Sequence, residues 1–108
     1  MLEEDTTMRT RLELHAVLTD ILGSKNVYFQ PPENIKMKYP CIIYEREGMA
    51  SNSANDKKYI DHMQYKITVV DKNPDSLIPN KVAQLQYCRM STHFVVDNLN
   101  HDIFTIYW

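Results

Sequence analysis

Residues 38–71 read KYPCIIYEREGMASNSANDKKYIDHMQYKITVVD, and this stretch decides the fold. Cys41 to Tyr44 form a continuous apolar run, which predicts a buried central strand over Tyr39–Glu47. Lys58–Asp71 alternates apolar and polar residues, which predicts a long third strand with one buried face. That face carries Tyr59, Asp61, Met63, Tyr65, Ile67 and Val69.

Between the two strands, Gly48–Lys57 is predicted to be a polar loop that is too long for a tight turn. Seven of its ten residues are Gly, Ala, Ser or Asn, and none is aromatic. Such a tip packs little surface against its own domain. We therefore predict a long protruding β-hairpin that reaches a partner rather than holding a catalytic group.

The residues before the hairpin predict one helix and one short strand. Apolar residues recur at helical spacing over Thr7–Leu22, with Thr6 or Thr7 as the N-cap. Gly23 is placed to end this helix. Val27–Gln30 is a strand candidate that ends where Pro31 and Pro32 remove the backbone donors.

The residues after the hairpin predict a second helix and a second pair of strands. Asp75 or Ser76 can cap a helix over Leu77–Met90, and strands are predicted over Thr92–Asp97 and Ile103–Trp108. A polar hairpin turn joins these strands. The predicted order is α-β-β-β-α-β-β in a single domain over residues 1–108. The fold class is α+β, with a mainly antiparallel sheet and two helices on one face.

Charge, cysteine usage and hydropathy argue against a general nucleic-acid binder, a disulfide-bonded protein and a membrane-spanning protein. Lys and Arg number 12 and Asp and Glu number 14, giving a net charge of −2, whereas a general nucleic-acid binder needs a basic face. Cys41 and Cys88 each lie in an apolar run and are predicted to be buried free thiols of a reducing compartment. No apolar run approaches the roughly 18 residues of a membrane span. The N-terminal residues lack a signal-peptide core, so we expect the chain to be made in the cytoplasm and to have no membrane partner.

The sequence predicts neither an active site nor a cofactor or metal site. Cys88 and His93 lack a glycine-rich turn for an oxyanion hole. Pro74-Asp75 resembles the opening of a nuclease motif, but no acidic-x-Lys triplet follows. The two glycines are far apart, so glycine-rich nucleotide motifs are absent.

Two alternatives from other functional classes remain open at this stage. One is a small metal-dependent enzyme, in which His93 and His101 face each other across the last hairpin and bind a metal with Asp97 or Asp102. The other is a nucleic-acid-binding module. Its basic patch would contain Lys36, Lys38, Lys57 and Lys58, with Tyr39 and Tyr59 nearby.

Three segments together resemble a known family. They are VYFQPPENIKMKYPCIIYER (27–46), YKITVVDKNPDS (65–76) and DNLNHDIFTIYW (97–108). In amino-acid sequence and in their order along the chain, they resemble small tail-completion proteins from the head-to-tail module of tailed bacteriophages. The order of helices and strands is similar to that of tail terminators of long-tailed phages. The resemblance covers nearly the whole chain.

The resemblance implies a structural role without enzymatic activity. Tail terminators form a homo-oligomeric ring, usually a hexamer, on the last ring of the tail tube. The ring stops tube growth and offers its other face to head connector proteins in the neck of the virion. Genomic DNA passes through the lumen without specific binding. A head-completion protein of the connector is the alternative role within the same class.

The protruding hairpin and the last residue are the predicted contact regions. Aromatic residues are enriched at the cores of interfaces, so Trp108 is a candidate anchor in a neighbouring subunit. The hairpin is expected to contact a neighbouring subunit or the tail tube protein. Its candidate interface residues are Arg46, Glu47, Met49, Asn52, Asn55, Lys57, Lys58 and Tyr59.

Overall fold

The computed structural model describes residues 9–54 and 57–108, and along 49–54 and 57–61 it describes the backbone pairing alone. Within these residues the chain forms two helices and a five-stranded sheet. The elements are α1 (Arg11–Leu22), β1 (Val27–Phe29), β2 (Cys41–Ala54), β3 (Lys57–Asp71), α2 (Ile78–Ala83), β4 (Cys88–Val96) and β5 (Leu99–Tyr107). This order and the α+β class confirm the prediction from sequence.

The sheet has the strand order β1-β2-β3-β5-β4. β1 pairs with β2 in parallel, and every other pairing is antiparallel. β2 and β3 are therefore central, while β1 and β4 form the two edges. Parallel β1 needs a long connection to β2, which residues 30–40 provide. The Tyr39–Pro40 peptide bond in this connection is cis.

Helix α1 begins at Arg11, four residues later than predicted. The Thr10 side chain accepts a hydrogen bond from the Glu13 backbone N–H at 3.2 Å, and the Glu13 carboxylate accepts one from the Thr10 N–H at 2.8 Å. This capping box satisfies two backbone donors and fixes the helix start. The same hydrogen bonds lower the pKa of the Glu13 carboxyl. Thr6 and Thr7 lie outside the described residues, and Gly23 ends the helix at φ 81°, as predicted.

The core lies between the helices and one face of the sheet. Leu14 and Leu18 from α1 and Val82 from α2 pack in the same cluster, which confirms that both helices cover one face. The sheet contributes Val27, Ile42, Tyr44, Tyr65, Ile67, Val69, Phe104 and Ile106, and Trp108 completes the cluster. Tyr65, Ile67 and Val69 are buried on the face that the alternation in β3 predicted.

The β2–β3 hairpin is longer and more regular than the sequence indicated. Pairing continues to Ala54 opposite Lys57, so the loop predicted over Gly48–Lys57 is strand as far as the described residues extend. The prediction was wrong because cross-strand hydrogen bonding outweighs the weak strand preference of Gly, Ser and Asn. The register shifts between Arg46 and Gly48 and again between Ala50 and Ser51, and such bulges increase the local twist.

The distal part of this hairpin protrudes from the sheet, as predicted. β1 pairs with β2 only as far as Tyr44, and β5 pairs with β3 only as far as Gln64. Beyond these positions no other strand of the described residues pairs with β2 or β3, although Trp108 adds one backbone hydrogen bond to Met63. The described residues accordingly extend 50 × 26 × 26 Å.

The second half of the chain differs most from the prediction. α2 ends at Ala83 rather than Met90, and Tyr87 adopts a left-handed φ of 61° before β4 begins at Cys88. Two-residue turns favour positive φ at both positions, and Asp97 and Asn98 adopt φ values of 54° and 63°. The turn is therefore shorter, and both flanking strands longer, than predicted. Within residues 9–54 and 57–108, no helix is long and apolar enough to cross a membrane.

Candidate interaction surfaces

The distal hairpin, defined as Gly48–Ala54 and Lys57–His62, is the first candidate surface. Its two strands pair with each other, and no other strand in the described part of the chain pairs with either of them. Each strand therefore presents one row of backbone N–H and C=O groups that has no ladder partner. Such rows are the groups through which a second chain can add a strand.

The predicted hairpin interface residues lie along this ribbon and at its base. Arg46 and Glu47 are exposed at the base, where the Glu47 carboxylate accepts a hydrogen bond from the Gln64 amide at 2.9 Å. Asn52 lies opposite Tyr59 in the ladder. Met49, Lys57 and Lys58 also lie on the paired strands, whereas Asn55 is outside the described residues. Their role in an interface stays a prediction.

Trp108 packs inside its own subunit, which corrects the expectation that it anchors a neighbour. Its side chain is only 4% exposed, and its indole N–H donates to the Thr10 carbonyl at 2.9 Å. The Arg9 guanidinium lies 3.6 Å from the ring centroid. The Trp108 backbone N–H also donates to the Met63 carbonyl, which extends the sheet by one residue. The ring therefore joins the start of α1 to the sheet.

The free edge of β4 is a second candidate surface, and sequence reasoning missed it. Among residues 9–54 and 57–108, only β5 pairs with β4, and every residue from Arg89 to Val96 is exposed. Met90, Phe94, Val95 and Val96 are 48, 42, 56 and 49% exposed. The signal was present in the sequence, because Phe94-Val95-Val96 is a continuous apolar run. The sequence predicted a strand over Thr92–Asp97 without assigning its position in the sheet, and the structure places it at the edge.

A groove of about 290 Å³ runs between α2 and β4 on the helix-covered face of the sheet. His93 lies on its wall, and the His93 Nδ1 and Asp102 Oδ1 atoms are 2.8 Å apart. The residues that line the groove are Pro74, Ser76, Pro79, Asn80, Ala83, Met90, His93, Asp102 and Phe104. The lining is thus mixed, with apolar residues beside Ser76, Asn80 and one histidine–carboxylate pair.

The strand register separates the histidines that were expected to face each other. His93 lies opposite Asp102, whereas His101 lies opposite Phe94 and stacks on its ring at 4.6 Å between centroids. Because neighbouring positions of a strand point to opposite faces, His93 and His101 lie on different faces of the sheet. The register therefore contradicts the alternative in which His93 and His101 bind one metal with Asp97 or Asp102. Among the described residues, no three His, Cys, Asp or Glu side chains are grouped as metal ligands.

Tyr44 carries the main polar contact between α1 and the sheet. It is fully buried, while its hydroxyl lies 2.7 Å from His15 Nδ1 and accepts a hydrogen bond from Arg11 at 3.1 Å. Burial raises the pKa of this phenol, and the Arg11 hydrogen bond opposes that rise. The cluster satisfies a buried hydroxyl and fixes how α1 crosses β2.

The remaining candidate groups are two thiols and a set of lysines. Cys41 is buried and Cys88 is half-buried, both are free, and burial raises the pKa of each to about 11. Thiols with raised pKa values are poor nucleophiles, which argues against a cysteine catalyst. Lys36 and Lys38 are exposed in the segment before β2, and whether they form one patch with the hairpin lysines stays a prediction.

No protein-family model, curated protein or solved structure matches this chain. The resemblance to tail-completion proteins therefore stays a prediction. The structure itself contributes two candidate surfaces, namely the distal hairpin and the free edge of β4.

Proposed function

We propose that this chain is a structural subunit of a phage tail, a tail terminator or tail-completion protein. It forms a homo-oligomeric ring, most simply a hexamer, at the head-proximal end of the tail tube. The ring stops tube growth and joins the tail to connector proteins of the head. It performs no catalysis, is assembled in the host cytoplasm and becomes part of the virion neck.

The protruding distal hairpin is the observation that carries this proposal. Among the described residues, no further strand pairs with either side of this strand pair. Its unpaired backbone groups favour contact with another protein chain. Together with the family resemblance, this geometry supports an assembly role better than a catalytic one.

In the proposed mechanism, the ring occupies the growing end of the tail tube. The ring binds the exposed end of the tube and covers the surface that the next ring of tube subunits needs. Distal hairpins contact neighbouring subunits or the tube protein. A net charge of −2 fits a protein whose main partners are proteins, and a lumen that is not strongly basic lets DNA pass without being held.

Electron microscopy of the purified protein mixed with tail tubes of the same phage tests this proposal. We expect a six-fold cap at one end of each tube and no further tube growth. A variant in which an Asn-Gly turn replaces residues 51–60 shortens the hairpin and is expected to fold normally but to cap poorly. The matched control is Lys81→Ala, an exposed change on α2.

Two results would overturn the proposal in different ways. Tubes that stay uncapped and keep growing with the wild-type protein would rule out a terminator. If the protein instead binds purified capsids at the connector, it is a head-completion protein. A shortened hairpin that caps as well as the wild type would remove the hairpin from the mechanism.

A further inference from the structure

We propose that the free edge of β4 receives the distal hairpin of a neighbouring copy of this chain. The arm that pairs with it is Gly48–Ala54, so the sheet continues from one subunit into the next. This inference rests on the proposed function, because it names the contact that closes the ring.

The β4 edge lacks most of the features that keep sheet edges from pairing. Natural edges are commonly protected by lysines, prolines, inward-pointing charges or very short strands. β4 has nine residues, contains no Lys, Pro, Asp or Glu, and carries Arg89 as its only permanent charge. One register shift occurs between Met90 and Thr92, and the five residues Thr92–Val96 then follow in regular register. This regular segment is open to a partner strand.

The opposite edge of the sheet is unsuited to the same role. β1 has three residues and is followed by Pro31 and Pro32, which have no backbone N–H to donate. A ladder along this edge could not extend past Gln30. Of the two sheet edges, β4 therefore offers the longer and more regular one.

The distal hairpin provides a strand of matching length and compatible charge. The arm Gly48–Ala54 has seven residues against the nine of β4, and its sequence GMASNSA contains no charged residue. The other arm contains Lys57 and Lys58, and lysines on a strand edge disfavour pairing with a further strand. Charge therefore favours the β2 side of the hairpin.

The groove beside β4 is positioned to receive one side chain of the strand that is added to the edge. A strand added to an edge directs alternate side chains toward one face of the sheet, and pockets on that face select among them. The groove lies next to β4 and includes Met90 and Phe104. Met49 is the only large apolar residue of the arm, so it is the residue of the arm best suited to the apolar part of this groove.

A hairpin-to-edge contact joins two different surfaces and can therefore repeat around a ring. Pairing of β4 with β4 of a second copy would instead use one surface twice and close as a dimer. That arrangement would leave both hairpins unused. The two arrangements place different residues next to each other, which makes them separable by cross-linking.

Cross-linking between two variants, each with one newly introduced exposed cysteine, tests the inference. Ser51→Cys and Thr92→Cys are each made in a Cys88→Ala background, and Cys41 stays because it is buried. The variants, one of them carrying a size tag, are mixed with tail tubes and treated with a short bis-maleimide. We expect a cross-linked pair containing one chain of each variant, and no pair from either variant alone.

A second variant shows whether the contact depends on the apolar edge. Val95→Lys places a charge on an exposed position of β4, so it is expected to leave the unfolding midpoint unchanged but to abolish the mixed cross-link. Lys81→Ala, added to the same cysteine variants, is the control and is expected to leave the mixed cross-link unchanged. Retention of the cross-link in Val95→Lys would overturn the role of the edge.

The outcomes separate this inference from the proposed function. Capped tubes without a mixed cross-link would show that the hairpin does not meet β4, while the terminator role stands. A mixed cross-link on uncapped tubes would support the subunit contact and reject the terminator. Cross-linked pairs from Thr92→Cys alone would show a symmetric β4 dimer and overturn the inference.

Discussion

Replacement of Trp108 separates a core role from an interface role. The side chain is 4% exposed, and its indole N–H donates to the Thr10 carbonyl at 2.9 Å. Trp108→Ala removes a large buried ring and is expected to cost about 3–5 kcal/mol of unfolding free energy. That is a large part of the roughly 5–15 kcal/mol that stabilises a typical domain.

A conservative change at the same position separates the hydrogen bond from the packing. Trp108→Phe keeps most of the ring beside Arg9 but loses the indole N–H, which contributes about 0.5–1.5 kcal/mol net. The Thr10 carbonyl still accepts from the Leu14 N–H at 3.3 Å, so no buried acceptor is left without a donor. We therefore expect Trp108→Phe to destabilise the fold by about 1 kcal/mol, plus a small loss of packing.

Urea unfolding followed by far-ultraviolet circular dichroism tests both values. Tryptophan fluorescence is unsuitable because Trp108 is the only tryptophan and both variants remove it. Dilute protein and a concentration series distinguish the two roles. A buried core ring predicts destabilisation that does not depend on protein concentration. An unchanged midpoint for Trp108→Ala, or a loss that appears only in the assembled state, would refute the core assignment.

Two further predictions concern the Tyr44 contact and the thiols. Tyr44→Phe removes the hydroxyl that contacts His15, and we expect a loss of about 0.5–1.5 kcal/mol in urea unfolding, whereas the exposed control Tyr39→Phe stays unchanged. Burial raises the pKa of the Cys41 and Cys88 thiols from about 9 to about 11 in the folded chain. As pH rises, the thiols of the unfolded chain therefore lose their protons at lower pH than those of the folded chain. The free energy of unfolding is thus expected to fall between pH 9 and pH 11. Cys88→Ala should show a shallower fall over this range. Equal stability of the two tyrosine variants, or an unchanged pH slope, would contradict the respective argument.

Much of the fold could be predicted because hydrophobic periodicity reflects which face is buried. The apolar run Cys41–Tyr44 and the alternation of Tyr65, Ile67 and Val69 lie in the two central strands, where burial is decided within the chain. Gly23 ended the first helix as expected, because few other residues adopt its left-handed conformation without strain. These features depend on local chemistry that the sequence shows directly.

The errors occurred where non-local pairing overrides local preference. Gly48–Ala54 has the composition of a loop, but hydrogen bonding to the opposite strand holds it in a ladder. Residues after Ala83 contain neither Gly nor Pro, so helix was predicted to continue, whereas pairing of Cys88 with Ile106 starts a strand there. A pairing partner distant in sequence cannot be read from a window of neighbouring residues.

β4 shows how such an error bears on function. Phe94, Val95 and Val96 have the composition of a buried strand, but each is between 42 and 56% exposed in the single chain. The side chains of Val95 and Val96 stabilise a structure only where they are removed from water, and the described part of this subunit does not bury them. If a neighbouring hairpin covers the edge, these three residues are buried in the ring although they are exposed in the isolated chain. The disagreement between sequence pattern and burial thus lies at the surface where we propose that subunits meet.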